Sequence, residues 1–299
     1  MSFSGNAKAE LCRAGTGRNC CAAAEAYGVL LYANTFSAAE IKIITGSEEF
    51  AQHLPKLWKK AFNLSFDVLP PAENKGKFIF IMNDRAKIEK IFERYGYDAR
   101  STLVHHINLG VLENECCCIS FIKGAFLAGG SITDPEKRYH LELVTDHMNV
   151  SRETYSLLLE MGFRPHDTTR AGHYIIYFKQ SEAIEDFFTT IGAVSSAMEI
   201  MQTKVEKDMR NTINRKVNCD SANADKIVSA AAAQLDKIRF LDREVGLDNL
   251  PADLQELAYL RIANPEASLA DLAMLSDPPV SKSGINHRMR KLMAYNPEQ

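Results

Sequence analysis

Two stretches of this chain repeat each other, and the repeat limits what it can fold into. Cys20-Cys21 falls on Cys116-Cys117 at an offset of 96, and Gly28-Val-Leu-Leu-Tyr-Ala-Asn-Thr-Phe36 on Gly124-Ala-Phe-Leu-Ala-Gly-Gly-Ser-Ile132. EIKIIT (40–45) then aligns with HLELVT (140–145) at 100, LPKLWKKAF (54–62) with TYSLLLEMG (154–162), and GKFIFIMN (76–83) with GHYIIYFK (172–179), back at 96. The residues gained in one connection are lost in another, which loops tolerate. A period of this length marks a duplicated folding unit.

Each copy reads the same way. A helix of small residues (about 20–33 and 116–129) leads into a hairpin, clearest as SIT, DPEK, RYHLELVT, where Asp134-Pro135 signals the turn and the last strand alternates. An amphipathic helix follows (about 47–62 and 150–161), then a second hairpin through FDVL…KFIFIM and FRPHD…HYIIYF, then a closing helix (about 84–95 and 181–192). The order αββαββα, twice, predicts an α+β pseudo-dimer of two four-stranded antiparallel sheets, with helices on one face of each. Gly124, Ala125, Ala128, Gly129 and Gly130 would let the first helices of the copies approach closely. The halves are placed at 1–100 and 101–193, a helical connector at 194–220, and an all-α helix-turn-helix domain at 221–299.

The last third is helical in pattern. Met198, Met201, Val205, Met209 and Ile213 recur at helical spacing, beside Lys204, Lys207, Arg210, Arg215 and Lys216. NCDSANADK (218–226) reads as a loop, with Ser221 or Asn223 capping the next helix. Beyond Pro251 three short helices are expected, at about 252–263, 268–275 and 281–293. Ser268 and Ser281 act as N-caps, and Asp277-Pro278-Pro279 makes the stop. In the third, Ile285, Met289 and Leu292 form a buried stripe and Ser283, His287 and Arg290 the opposite face, flanked by Gly284 and Lys291.

Net charge is −3 and the isoelectric point about 6.3, which excludes a globally basic nucleic-acid binder but not a local one. Residues 281–293 contain four lysines and arginines (Lys282, Arg288, Arg290, Lys291) and no acid, so double-stranded DNA is the expected partner. Arg290 can offer two donors to guanine, Ser283, Asn286 and His287 can make shorter contacts, and Lys282, Arg288 and Lys291 suit phosphates. No apolar run is long enough for a membrane helix and the start has no hydrophobic leader core, so the cytoplasm is expected.

The seven cysteines, Cys12, Cys20, Cys21, Cys116, Cys117, Cys118 and Cys219, include no C-x-x-C pair. Cys20-Cys21 and Cys116–Cys118 are read as small buried packing residues, with redox sensing at a helix N-terminus as the alternative, and a structural zinc site is not expected. His105-His106 falls in a linker, where adjacent histidines point apart, and Gly15-x-Gly17 has no preceding strand to make it a phosphate loop. No metal or cofactor is expected.

Phe121-Ile-Lys-Gly-Ala-Phe-Leu-Ala-Gly-Gly-Ser-Ile132 resembles a degenerate LAGLIDADG motif, the signature helix of homing endonucleases. In active enzymes of that type an acid ends each signature helix, and the pair holds the divalent cations that cut DNA. The matching positions here are Ala33 and Gly129, neither able to bind a metal. Asp134 reads as a turn residue and Glu40 as a strand edge. NRKVNCDSANADK (214–226) and NPEASLADLAMLSDPPVSKSGINHRMRKL (264–292) are similar to the WhiA family of bacterial regulators. The resemblance implies a non-catalytic, sequence-specific DNA-binding transcriptional regulator. It also implies a nucleoid location, a role in cell division, chromosome segregation and, in spore formers, sporulation, and in some members a partner transcription factor. The rival readings are an endonuclease using carboxylates elsewhere and a protein-interaction scaffold.

Overall fold

Alternating burial shapes both sheets of the protein. The computed structural model describes residues 2–71, 76–98 and 104–297. An N-terminal helix absent from the sequence reading, α1 (Phe3–Arg13), buries Phe3, Ala7 and Leu11 at four-residue spacing. The first copy follows as α2 (Asn19–Leu31), β1 (Thr35–Phe36), β2 (Ile41–Thr45), α3 (Glu48–Phe62), β3 (Phe78–Met82) and α4 (Arg85–Tyr95). The second runs α5 (Glu115–Gly129), β4 (Gly130–Ile132), β5 (Leu141–Thr145), α6 (Met148–Glu160), β6 (His166–Arg170), β7 (His173–Phe178) and α7 (Ser181–Ile191).

Strand register keeps the duplication. Ile41 pairs with Met82 and Thr45 with Phe78; at the same offsets Leu141 pairs with Phe178 and Thr145 with Tyr174. The second sheet has the expected four antiparallel strands, ordered β4-β5-β7-β6. The first corrects the expectation. Among the described residues it has three strands, and FDVL contributes a single bridge, Val68 to Ile81. Pro70-Pro71 removes the next two ladder donors, and the Asp67 carboxylate turns aside to accept from the amides of Asn83 and Asp84 at 2.8 Å.

The helices α2 and α5 cross at paired glycines. Gly28 and Gly124 occupy equivalent places in the copies, and each has the other helix's backbone where a Cβ would stand. The surrounding core takes Tyr27, Leu30 and Leu31 from one copy and Phe121, Phe126 and Leu127 from the other. Inside it Glu25 accepts from His53 Nε2 at 2.6 Å and pairs with Lys123 Nζ at 3.2 Å, all three side chains being buried.

A second correction concerns the connector. Residues 218–226 are not a loop, and neither Ser221 nor Asn223 caps a helix: α8 runs unbroken from Val194 to Glu244. The segment contains no glycine or proline, and polar residues alone cost a helix only tenths of a kcal/mol each (roughly 0.5). Glu10 of α1 caps its start, accepting from the amides of Ser195 and Ser196 at 2.6 and 2.9 Å. The chain divides into two compact units, Met1–Lys207 and Asp208–Gln299.

Candidate nucleic-acid interface

The second unit has its own core. Ile238 and Leu241 of α8 pack with Leu254 and Leu257 of α9 (Ala252–Ala263), Leu272 of α10 (Leu269–Leu275) and Ile285, Met289 and Leu292 of α11 (Lys282–Ala294). The three short helices lie within a residue of their expected bounds. Both expected caps form. Ser268 accepts from the Asp271 amide at 3.2 Å while Asp271 accepts from the Ser268 amide at 3.0 Å, a reciprocal capping box. Ser281 accepts from the Gly284 amide at 3.1 Å.

With Ile285, Met289 and Leu292 turned inward, helical geometry sends the polar residues out. Lys282, Ser283, Asn286, His287, Arg290 and Lys291 are exposed, and Gly284 is half-buried. Among the described residues no acid pairs with Lys282, Arg290 or Lys291. Arg288 differs. It is half-buried and its Nη1 lies 3.4 Å from Glu256 Oε2 of α9, so part of its charge is spent inside the domain. Glu256 was not singled out from the sequence, because nothing local signals a contact 32 residues away.

Arg261 was missed as well. It is buried and donates through Nη1 to the carbonyls of Ala267 at 2.6 Å and Asn264 at 3.3 Å. Burial lowers its pKa, and its hydrogen bonds hold the turn between α9 and α10. Neutral carbonyl partners give no charge pattern from which it could have been found.

The two positions matched to the endonuclease acids, Ala33 and Gly129, lie at the far ends of α2 and α5. Ala33 is half-buried against the core. At Gly129 a Cβ would stand 2.5 Å from the Val144 carbonyl oxygen and 2.8 Å from Tyr32 Cδ1, so the site lacks room as well as a carboxylate. Tyr32 is buried there and donates to Thr154 Oγ1 at 3.0 Å. Asp134 has the expected turn role, its Oδ1 accepting from the Glu136 amide at 2.9 Å. The two histidines do point apart. His105 is buried, stacked on Phe36, and its neighbour His106 is exposed with Nδ1 2.8 Å from Glu153. The one trio of thiol, imidazole or carboxylate groups that comes together among the described residues is Cys20, Cys21 and Cys116.

These features agree with known proteins. The family model described as the WhiA LAGLIDADG-like domain matches residues 118–210, and that of the WhiA C-terminal HTH domain matches 213–296. A protein of Ruminiclostridium cellulolyticum called "Probable cell division protein WhiA" is 36% identical, covering 98% of this chain and 96% of its own length. The chain belongs to the WhiA family. A second WhiA relative, from Alkaliphilus metalliredigens and of the same description, is 32% identical over the same shares. The crystal structure of full-length DUF199/WhiA from Thermatoga maritima matches with a TM-score of 0.60 at 23% identity, over 98% of this chain and 97% of that one. This likeness supports the WhiA fold, a LAGLIDADG-like domain joined to a helix-turn-helix region.

Proposed function

We propose that the protein is a sequence-specific DNA-binding regulator without catalytic activity, and that α11 is the element it lays in the major groove. The observation that supports this best is the outer face of α11: cationic, free of acids over 281–293, and presented by a capped three-helix core. A helix-turn-helix uses its last helix in this way. Arg290 reads guanine through two parallel donors. Ser283, Asn286 and His287 make shorter polar contacts, and half-buried Gly284 lets the backbone near the groove wall. Lys282 and Lys291 hold phosphates, and Arg288 adds a third once it leaves Glu256.

The non-catalytic reading is supported by Ala33 and by the crowding around Gly129, since a hard divalent cation needs oxygen ligands at those points. The names of the relatives support a role in cell division. On the family resemblance we further propose transcriptional control, chromosome segregation, sporulation in a spore former, a cytoplasmic place on the nucleoid, and cooperation with a partner transcription factor. No helix among the described residues is long and apolar enough to cross a membrane. The domain assignment stays with halves at 1–100 and 101–193, a connector at 194–220 and a DNA-binding domain at 221–299.

Selection of bound fragments from random DNA by the full chain tests this reading. Recovery of one motif, with Arg290→Ala relaxing preference at one base by about 1–3 kcal/mol, is the expected result. Lys291→Ala is expected to weaken all sequences alike and to flatten the salt dependence. Absence of any DNA shift at low salt removes the reading. Cleavage of plasmid with Mg²⁺ would restore the endonuclease rival.

A further inference from the structure

At the end of the α2/α5 pair opposite Ala33 and Gly129, the two helices begin side by side. Each offers two cysteines at its second and third positions: Cys20 and Cys21 on α2, Cys116 and Cys117 on α5. The Sγ atoms of Cys20, Cys21 and Cys116 all lie within 4.8 Å of one another. Cys117, next to Cys116 on α5, is buried and stands outside this trio. All four are free thiols.

Packing alone does not account for this trio. Cys21 is buried, but Cys20 is exposed and Cys116 half-exposed, so two members gain little from apolar burial. Zinc holds thiolates at about 2.3 Å in a tetrahedron, which sets the sulfurs roughly 3.8 Å apart. The three sulfurs, all within 4.8 Å of one another, are near that spacing. Clusters of several irons spread their cysteine sulfurs further. The neighbouring Cys21 thiol, and then burial, raise the Cys116 pKa, and Arg18 at the N-cap of α2 offsets this only in part, so a bound ion must itself displace the thiol proton.

We propose that Cys20, Cys21 and Cys116 bind one zinc ion, with its fourth position left to a water or other outside ligand, and that the ion clamps the two halves of the duplicated domain together. The ancestral kind of site would have lain between the other ends of these helices and served cleavage. This one serves cohesion. It joins residues 96 positions apart, and its formation releases the thiol protons to solvent.

The test uses the reduced full-length protein. With Co²⁺ as probe, one equivalent is expected to give thiolate-to-cobalt charge-transfer bands in the near ultraviolet and tetrahedral d–d bands in the red, both abolished by added Zn²⁺. Zinc is expected to raise the melting temperature of the N-terminal unit, and a chelator to reverse the rise. Cys20→Ser, at an exposed position, and Cys116→Ser should each lose the sulfur bands and the zinc-dependent rise while keeping wild-type circular dichroism. Cys219→Ser should keep them all. Cobalt binding without sulfur bands, bands that survive in both Cys20→Ser and Cys116→Ser, no binding at all, or an iron–sulfide chromophore in the purified protein would each overturn the proposal.

Discussion

Gly28 and Gly124 each press against the backbone of the other's helix: a Cβ on Gly28 would stand 2.1 Å from the Phe121 carbonyl oxygen, and one on Gly124 2.0 Å from that of Glu25. The clash is with main chain on both sides, so neither helix can yield without separating the two halves. Gly28→Ala and Gly124→Ala are each expected to lose at least about 2–3 kcal/mol in urea unfolding. Gly46→Ala, where a Cβ meets nothing within 4 Å, serves as the control and should stay within roughly 0.5 kcal/mol.

Glu25 and Lys123 make an ion pair between the copies, with side chains 2% and 9% exposed. Removing one charge strands the other where water cannot reach it. Glu25→Gln is expected to cost about 3–5 kcal/mol. The double variant Glu25→Gln/Lys123→Met should be more stable than Glu25→Gln alone. A double variant that is additive would show that the pair is uncoupled.

His105 sets an acid limit. Burial first, and then the nearby His147 ring, bring its pKa down to about 4, against an ordinary value near 6.5. The folded state therefore prefers the neutral ring. Its contribution is complete above pH 6.5 and is lost as the pH falls toward 4, on the order of 2–3 kcal/mol in total. Urea midpoints at pH 7 and pH 5 should differ less in His105→Phe than in the wild type. An unchanged difference would assign the acid sensitivity elsewhere.

Ser281 caps α11 through the Gly284 amide. Ser281→Ala is expected to lower stability of the second unit by about 1 kcal/mol, and Ser281→Thr to recover most of it. Thermal melts followed by circular dichroism check both.

The Arg288–Glu256 pair offers a gain of function. Glu256→Gln releases the guanidinium, so non-specific DNA binding should tighten and its salt slope should steepen by about one ion. Filter binding across a salt series reads this directly. A slope equal to that of the wild type would place Arg288 away from the phosphates.

Much of the fold was legible in the sequence. The duplication, the strand alternation around Ile43 and Leu143, and the caps at Ser268 and Ser281 are local signals that recur or carry their own geometry. That the described residues near Val68 make only a single bridge was hidden because FDVL has strand composition, and the carboxylate of Asp67 turns aside to the amides of Asn83 and Asp84. The continuity of α8 was hidden because Asn, Asp and Ser favour loops only where some other contact exploits them. The outward residues of α11 followed from a three-residue apolar stripe, whereas the capture of Arg288 did not.

The sequence by itself determined the two copies, the element order of the second, the absence of carboxylates at Ala33 and Gly129, and the acid-free cationic run from Lys282 to Lys291. Only the tertiary structure decided that Tyr32 fills the space beside Gly129, that Glu25 meets Lys123, and that Cys20, Cys21 and Cys116 from two separate helix starts come together. The reason is geometric. Periodicity and capping act within a few residues, whereas these meetings depend on how closely two helices cross, and that distance is set by the absence of side chains at Gly28 and Gly124.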